Sequence, residues 1–178
     1  MLGLELMFFA FPQEDAATSG HLKRLSNLRI ENTSPEAVVL KDMEHRGSVA
    51  FSFYKTLSGG SWYWRVRREV RAPDHDPRIS WASQQSCAGI ADSLVVIERV
   101  AMPRVELRSA EPAGPQPPAM GPLHLTHHMW ARAWDAGNSP VEITLTSLGS
   151  GSPQRLFDHL EQALRTCWDG PEAPVPLD

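Results

Sequence analysis

The sequence predicts an α+β fold: a two-layer sandwich with an antiparallel sheet of four or more strands. Two helices, or three, would lie on one face. Three observations predict it. Apolar residues alternate in 48–57, 61–70, 123–134 and 141–148. Helical spacing recurs near 84–100 and 152–167. A proline-dense stretch separates two units that share the order hairpin then helix.

The N-terminal stretch MLGLELMFFAF is apolar and ends at Pro12-Gln13-Glu14-Asp15. Residues 1–20 read as a degenerate export signal. The apolar middle is short, no Lys or Arg precedes it, and no A-x-A cleavage pattern follows. The competing reading is an ordinary first strand, or a terminus whose aromatics dock on the core. A single α+β domain is expected over 21–168, with a flexible tail over 169–178.

Ser34-Pro35-Glu36-Ala37 carries helix-start signals: an N-cap serine, proline at the first position and an acid next. His45, Arg46 and Gly47 would end that helix, with Val39, Leu40 and Met43 as its stripe. A hairpin of LRIEN and AVVLKD around TSP competes. The helix is favoured because both ends are signalled.

SVAFSFYKTL and SWYWRVRREV alternate on either side of Ser58-Gly59-Gly60-Ser61, a β-hairpin pattern. It places Trp62, Trp64 and Val66 inward, with Tyr63, Arg65, Arg67 and Glu69 outward. Residues 72–77 form a loop by composition. A helix follows over about 84–100, capped by Ser83 or Ser86, with Cys87, Ile90, Ala91, Leu94 and Ile97 on one face. Six prolines between 103 and 122 exclude regular structure there and make an extended crossover between halves 48–102 and 121–168.

In the second half, LHLTHHMWARAW and VEITLTSL surround the turn at 135–138. Ser152 and Pro153 then start a helix with the stripe Leu156, Phe157, Leu160, Leu164 and Cys167.

Composition bounds the function. A chain of 178 residues that is 42% hydrophobic makes one real core. The net charge of -4 argues against a general polyanion binder. No apolar run reaches the roughly 20 residues of a membrane helix.

The two cysteines, Cys87 and Cys167, occupy opposite ends of their helices. If the helices pack antiparallel, the two meet and bond. Closing that loop would stabilise by roughly 4 kcal/mol in the chain-entropy model. The alternative is two buried thiols. A disulfide and the apolar N-terminus together point to an oxidising compartment, periplasmic or secreted, with a cytoplasmic protein as the alternative.

Other constellations are weaker. His124 and His128 share a strand face, and with Asp74 or Asp76 they offer metal-ligand chemistry at no known ligand spacing. Tyr63, Arg65 and Arg67 form the outward face of the first hairpin and a partner surface. Tryptophans and arginines fall on opposite faces, which argues against nucleic acid. Asn32-Thr33-Ser34 is a glycosylation sequon, relevant only to a secreted eukaryotic chain. Gly149-Ser150-Gly151-Ser152 lacks a phosphate-loop lysine and reads as a turn. Nothing calls for a cofactor. The expectation is an exported, non-catalytic protein that binds a protein or small molecule. An enzyme with a His/Asp site and a cytoplasmic subunit of a larger assembly are the alternatives.

Overall fold

The computed structural model describes residues 16–43, 45–101, 125–134, 139–148 and 151–168. It is an α+β fold with a six-stranded antiparallel sheet and three helices. In chain order these are α1 (Ala16–Ser26), β1 (Ala37–Met43), β2 (Gly47–Ser58), β3 (Ser61–Arg71) and β4 (Arg78–Ser83). Then come α2 (Gly89–Ala101), β5 (Leu125–Trp134), β6 (Pro140–Leu148) and α3 (Ser152–Ala163). The spatial order is β4-β3-β2-β1-β5-β6.

The two expected hairpins are β2–β3 and β5–β6, and they join through β1. Val39 pairs with Phe51 on one side and Met129 on the other. The segment expected as a helix over 34–46 is therefore the strand that unites both halves. Two physical reasons overturn the helix. Ala37, Val38, Val39 and Leu40 are all buried, so both faces of this strand meet apolar partners and no alternation shows. The stop signals serve a turn instead: His45 and Gly47 take positive φ between β1 and β2, and Arg46 N–H donates to the Met43 carbonyl. The edge strand β4 had no signal of its own beyond six residues after a loop.

Strand parity divides the core. Ala37, Val39, Val49, Phe51, Phe53, Val66, Met129 and Ala131 pack with Ile90 and Ile97 of α2 and with Leu156, Phe157, Leu160 and Leu164 around α3. Residues of the other parity, Val38, Leu40, Ala50 and Trp130, pack with Leu22 and Leu25 of α1. Ile30, Tyr54 and Trp81 form a neighbouring cluster. The helix α1 crosses the boundary expected at residue 21. Its end is marked by Ser26 Oγ and Asn27 Nδ2, which both donate to the Lys23 carbonyl.

The second helix begins at Gly89, later than expected. Ser83 Oγ accepts from Gln85 N–H and so stabilises the preceding turn rather than capping α2. Ala91, expected on the buried face, is exposed; Ser93 is buried instead and donates to the Gly89 carbonyl at 2.6 Å. The third helix matches its expected start within one residue: Gly151 is the N-cap and Pro153 lies in the first turn.

Cys87 and Cys167 are disulfide-bonded, with Cα atoms 5.4 Å apart. The start of α2 meets the end of α3 closely. A Cβ on Gly89 would sit 2.2 Å from the Ala163 carbonyl oxygen, so only glycine fits. The proline crossover, the turn at 135–138 and the 169–178 tail lie outside the described residues, as does the apolar stretch 1–15.

Candidate functional site

Three places gather functional side chains. The first lies between α1 and the sheet. Glu69 projects from β3 with its side chain 1% exposed. Its Oε2 meets Arg67 Nη1 at 2.7 Å, and its Oε1 meets Arg24 at 2.5 Å and Arg71 at 3.3 Å. His21 Nε2 approaches the same Oε1 at 3.4 Å, and Ser48 Oγ lies 3.4 Å from His21 Nδ1. Burial by itself would raise the Glu69 pKa. The hydrogen bond with His21 and the charges of Arg67 and Arg24 outweigh it, holding the carboxyl well below the usual carboxylate range.

Ser48, His21 and Glu69 thus follow the order of a nucleophile, a base and an acid. Two facts weigh against that chemistry. Ser48 is buried, so no substrate reaches its hydroxyl from the described surface. Glu69 already faces three guanidinium groups, so its charge is committed to Arg24, Arg67 and Arg71. The arrangement instead ties α1 to β2 and β3.

The second place lies beside the disulfide. Phe51, Arg68, Asp158, Glu161, Gln162, Arg165 and Trp168 line a cleft of about 550 Å³. Trp168 follows Cys167 directly. Its ring stacks on Phe51 at 5.8 Å between centroids, and the Arg68 guanidinium lies 5.6 Å from it. Phe51 and Arg68 are register partners on β2 and β3, so the sheet presents them side by side under the ring. Asp158, Glu161, Gln162 and Arg165 follow helical spacing at and beyond the C-terminal half of α3.

Next to this cleft, His127 is 1% exposed and lies 5.7 Å from the Phe157 ring. Neither ring nitrogen has a hydrogen-bond partner among the described residues. Burial lowers its pKa, and the charge of Lys41 adds to that, against an opposing effect of Asp158.

The third place is the 72–77 loop. Gly47, Arg71, Asp74, His75 and Asp76 help line a cleft of about 470 Å³. His75 Nδ1 donates to the Pro73 carbonyl at 2.7 Å.

Among the described residues, His128 is not brought to Asp74 or Asp76. His124 lies outside the described residues. His128 is on β5, where its Nδ1 lies 3.0 Å from Thr146 Oγ1 of β6. Two strands, β1 and β2, stand between it and β3, from which the Asp74–Asp76 loop leaves. At about 4.8 Å per strand, that is roughly 14 Å in the sheet plane alone. Among the described residues, no group of three His, Cys, Asp or Glu side chains is placed to hold a metal.

The expected partner surface is also redistributed. Tyr63 is half-buried. Arg65 pairs with Glu31 at 3.1 Å and lies 4.8 Å over the Trp81 ring. Arg67 is not solvated but buried in the Glu69 cluster, because α1 covers this part of the sheet. Trp62, expected in the core, is 62% exposed instead.

Sequence reasoning missed His21, Arg24 and Glu69 as a unit. The signal was the row Arg65, Arg67, Glu69 and Arg71 on one strand face, whose burial depends on a helix some 45 residues away. It also missed the Trp168 cleft, whose signal was the polar edge of α3.

The class this architecture defines is an α+β domain closed by a single disulfide. No protein-family model, curated protein or solved structure matches the chain. No helix among the described residues is long and apolar enough to cross a membrane.

Proposed function

We propose that this chain is an exported binding protein with no reaction of its own, taking its ligand in the cleft beside Trp168. One observation carries the reading: the Cys87–Cys167 bond anchors the residue directly before Trp168, whose ring lines that cleft, stacked on Phe51 with the Arg68 guanidinium 5.6 Å away. A disulfide persists in oxidising compartments, which supports a periplasmic or secreted location. A wall fixed by a covalent bond is also preorganised, so less conformational freedom is lost on binding.

The cleft chemistry narrows the ligand. Arg68 and Arg165 offer positive charge, and Asp158 and Glu161 offer negative charge around a flat aromatic wall. Groups of both signs with an apolar part between them suit a short peptide segment. The volume of about 550 Å³ lies within the range of small-ligand sites. The Ser48–His21–Glu69 row does not favour an enzyme, for the reasons of burial and charge given above.

Two measurements test the reading. The first is the thiol count and N-terminus of the protein isolated unreduced from its native source. Support is a bonded pair in an extracytoplasmic fraction. Two free thiols in the cytoplasmic fraction would overturn export and leave the subunit reading. The second is a titration of a mixed-charge peptide library, followed by calorimetry. Binding that weakens at least tenfold in Trp168→Ala supports the cleft, and binding indifferent to that change overturns it.

A further inference from the structure

The β2–β3 hairpin outruns its neighbours. The last β2 residue paired with β1 is Phe53, and the first β3 residue paired with β4 is Arg65. Residues 55–58 and 61–64 therefore ladder only with each other, apart from Gln84, which bonds Trp64. At about 3.3 Å per residue the ribbon projects roughly 15 Å past the sheet. Its apex is Gly59-Gly60, both at positive φ, a two-residue hairpin turn with no side chains.

One face of this ribbon is apolar and open. Leu57 is 57% exposed, Trp62 is 62% exposed, and the two are register partners. They are the two most exposed large hydrophobic residues among the described ones. A paired position makes them one continuous patch rather than two scattered side chains. Lys55 lies on the same face, its Nζ 5.7 Å from the Trp62 ring, and it pairs with Trp64. Tyr63 stands on the reverse face. From Lys55 to Trp64 the chain carries Lys55 and no Asp or Glu, although its net charge is -4; Arg65, at the base of the ribbon, is already paired with Glu31.

We infer that this ribbon tip docks onto an anionic lipid surface, with Leu57 and Trp62 entering the interface and Lys55 meeting the headgroups. Charge complementarity selects the surface: the tip carries Lys55 and no acid, on an acidic chain. Its shape agrees. The tip is convex and narrow, and a fluid interface accommodates such a tip without a matching pocket. Tryptophan and tyrosine rings favour the headgroup depth, where an apolar body and a polar edge are both satisfied. Lysine at the same level gains attraction to anionic lipid and extends its charge toward water. The inference does not depend on the cleft or on export, because the tip lies outside both.

The test is co-sedimentation of the full oxidised chain with vesicles. One set is phosphatidylcholine alone, and the other contains about one-third phosphatidylglycerol, at low salt. The expected result is binding to the anionic set about fivefold tighter than to the neutral set, weakening as salt rises. Leu57→Ser with Trp62→Ser should abolish it, and Lys55→Glu should weaken it several-fold. Both variants should keep the wild-type urea midpoint, since these side chains lie beyond the core. No binding to anionic vesicles, equal binding to both sets, or full binding by the double variant would each overturn the inference. Tip-dependent capture of an acidic protein without vesicle binding counts in that same direction.

Discussion

Replacing both Cys87 and Cys167 with alanine measures what the disulfide contributes. The bond closes a loop of 80 residues in sequence. In the chain-entropy model a loop of that length removes about 15 cal/mol/K from the unfolded chain, or about 4.5 kcal/mol at 25 °C. Packing changes little, because Cys87 and Cys167 sit among apolar neighbours that alanine also suits. The double variant should lose about 4–5 kcal/mol of unfolding free energy, and its Tm should fall by roughly 9–18 °C. Urea unfolding followed by tryptophan fluorescence measures the first quantity. The slope of free energy on urea should also rise, since an uncrosslinked unfolded chain exposes more surface. A loss below about 1 kcal/mol with an unchanged slope would refute the reasoning, because the bond would then not be constraining the unfolded chain.

Glu69→Gln leaves Arg67 buried without its counter-charge and should cost about 3–5 kcal/mol, whereas Arg67→Met with Glu69→Leu should cost less; urea midpoints of both variants decide this. Glu69 is held below its ordinary pKa, so its stabilisation is complete above the unfolded value of about 4.3 and is lost as pH falls below it. The gap between wild type and Glu69→Gln should therefore narrow below about pH 4. His127 is also lowered, so the unfolded chain takes up a proton near pH 6.5 while the folded chain does not. Stability from this residue is intact above that pH and declines below it, and His127→Leu should flatten the profile between about pH 7 and 5. A thermal-melt series across that range checks it. Gly89→Ala drives a Cβ into the Ala163 carbonyl and should cost about 1–3 kcal/mol, read as a lowered urea midpoint.

Local chemistry was legible wherever one strand or helix face decided it. The alternation of Phe51 and Phe53, the Gly59-Gly60 turn and the Leu156-Phe157-Leu160-Leu164 stripe all emerged where expected. The candidate site was far less legible. The Trp168 cleft needs Phe51, Arg68 and α3 together, and no local spacing joins them. His128 and the Asp74–Asp76 loop lie apart for the same reason, since same-face geometry on one strand says nothing about a loop two strands beyond its neighbours.

The sequence by itself determined the α+β class, both hairpins and the last helix, and it left the two cysteines either bonded or as buried thiols until the meeting of α2 and α3 decided for the bond. Class, hairpins and helix each follow from periodicity, turn chemistry or the position of a residue on its own element. Tertiary structure alone decided that 37–43 is the central strand, because a segment buried on both faces shows no period. It alone decided that Arg67 and Glu69 are buried, since α1 supplies the cover. It also left Trp62 in solvent, because β1 and β4 end before the hairpin does. Burial is a property of what arrives on the other side of a side chain, and that partner is distant in sequence.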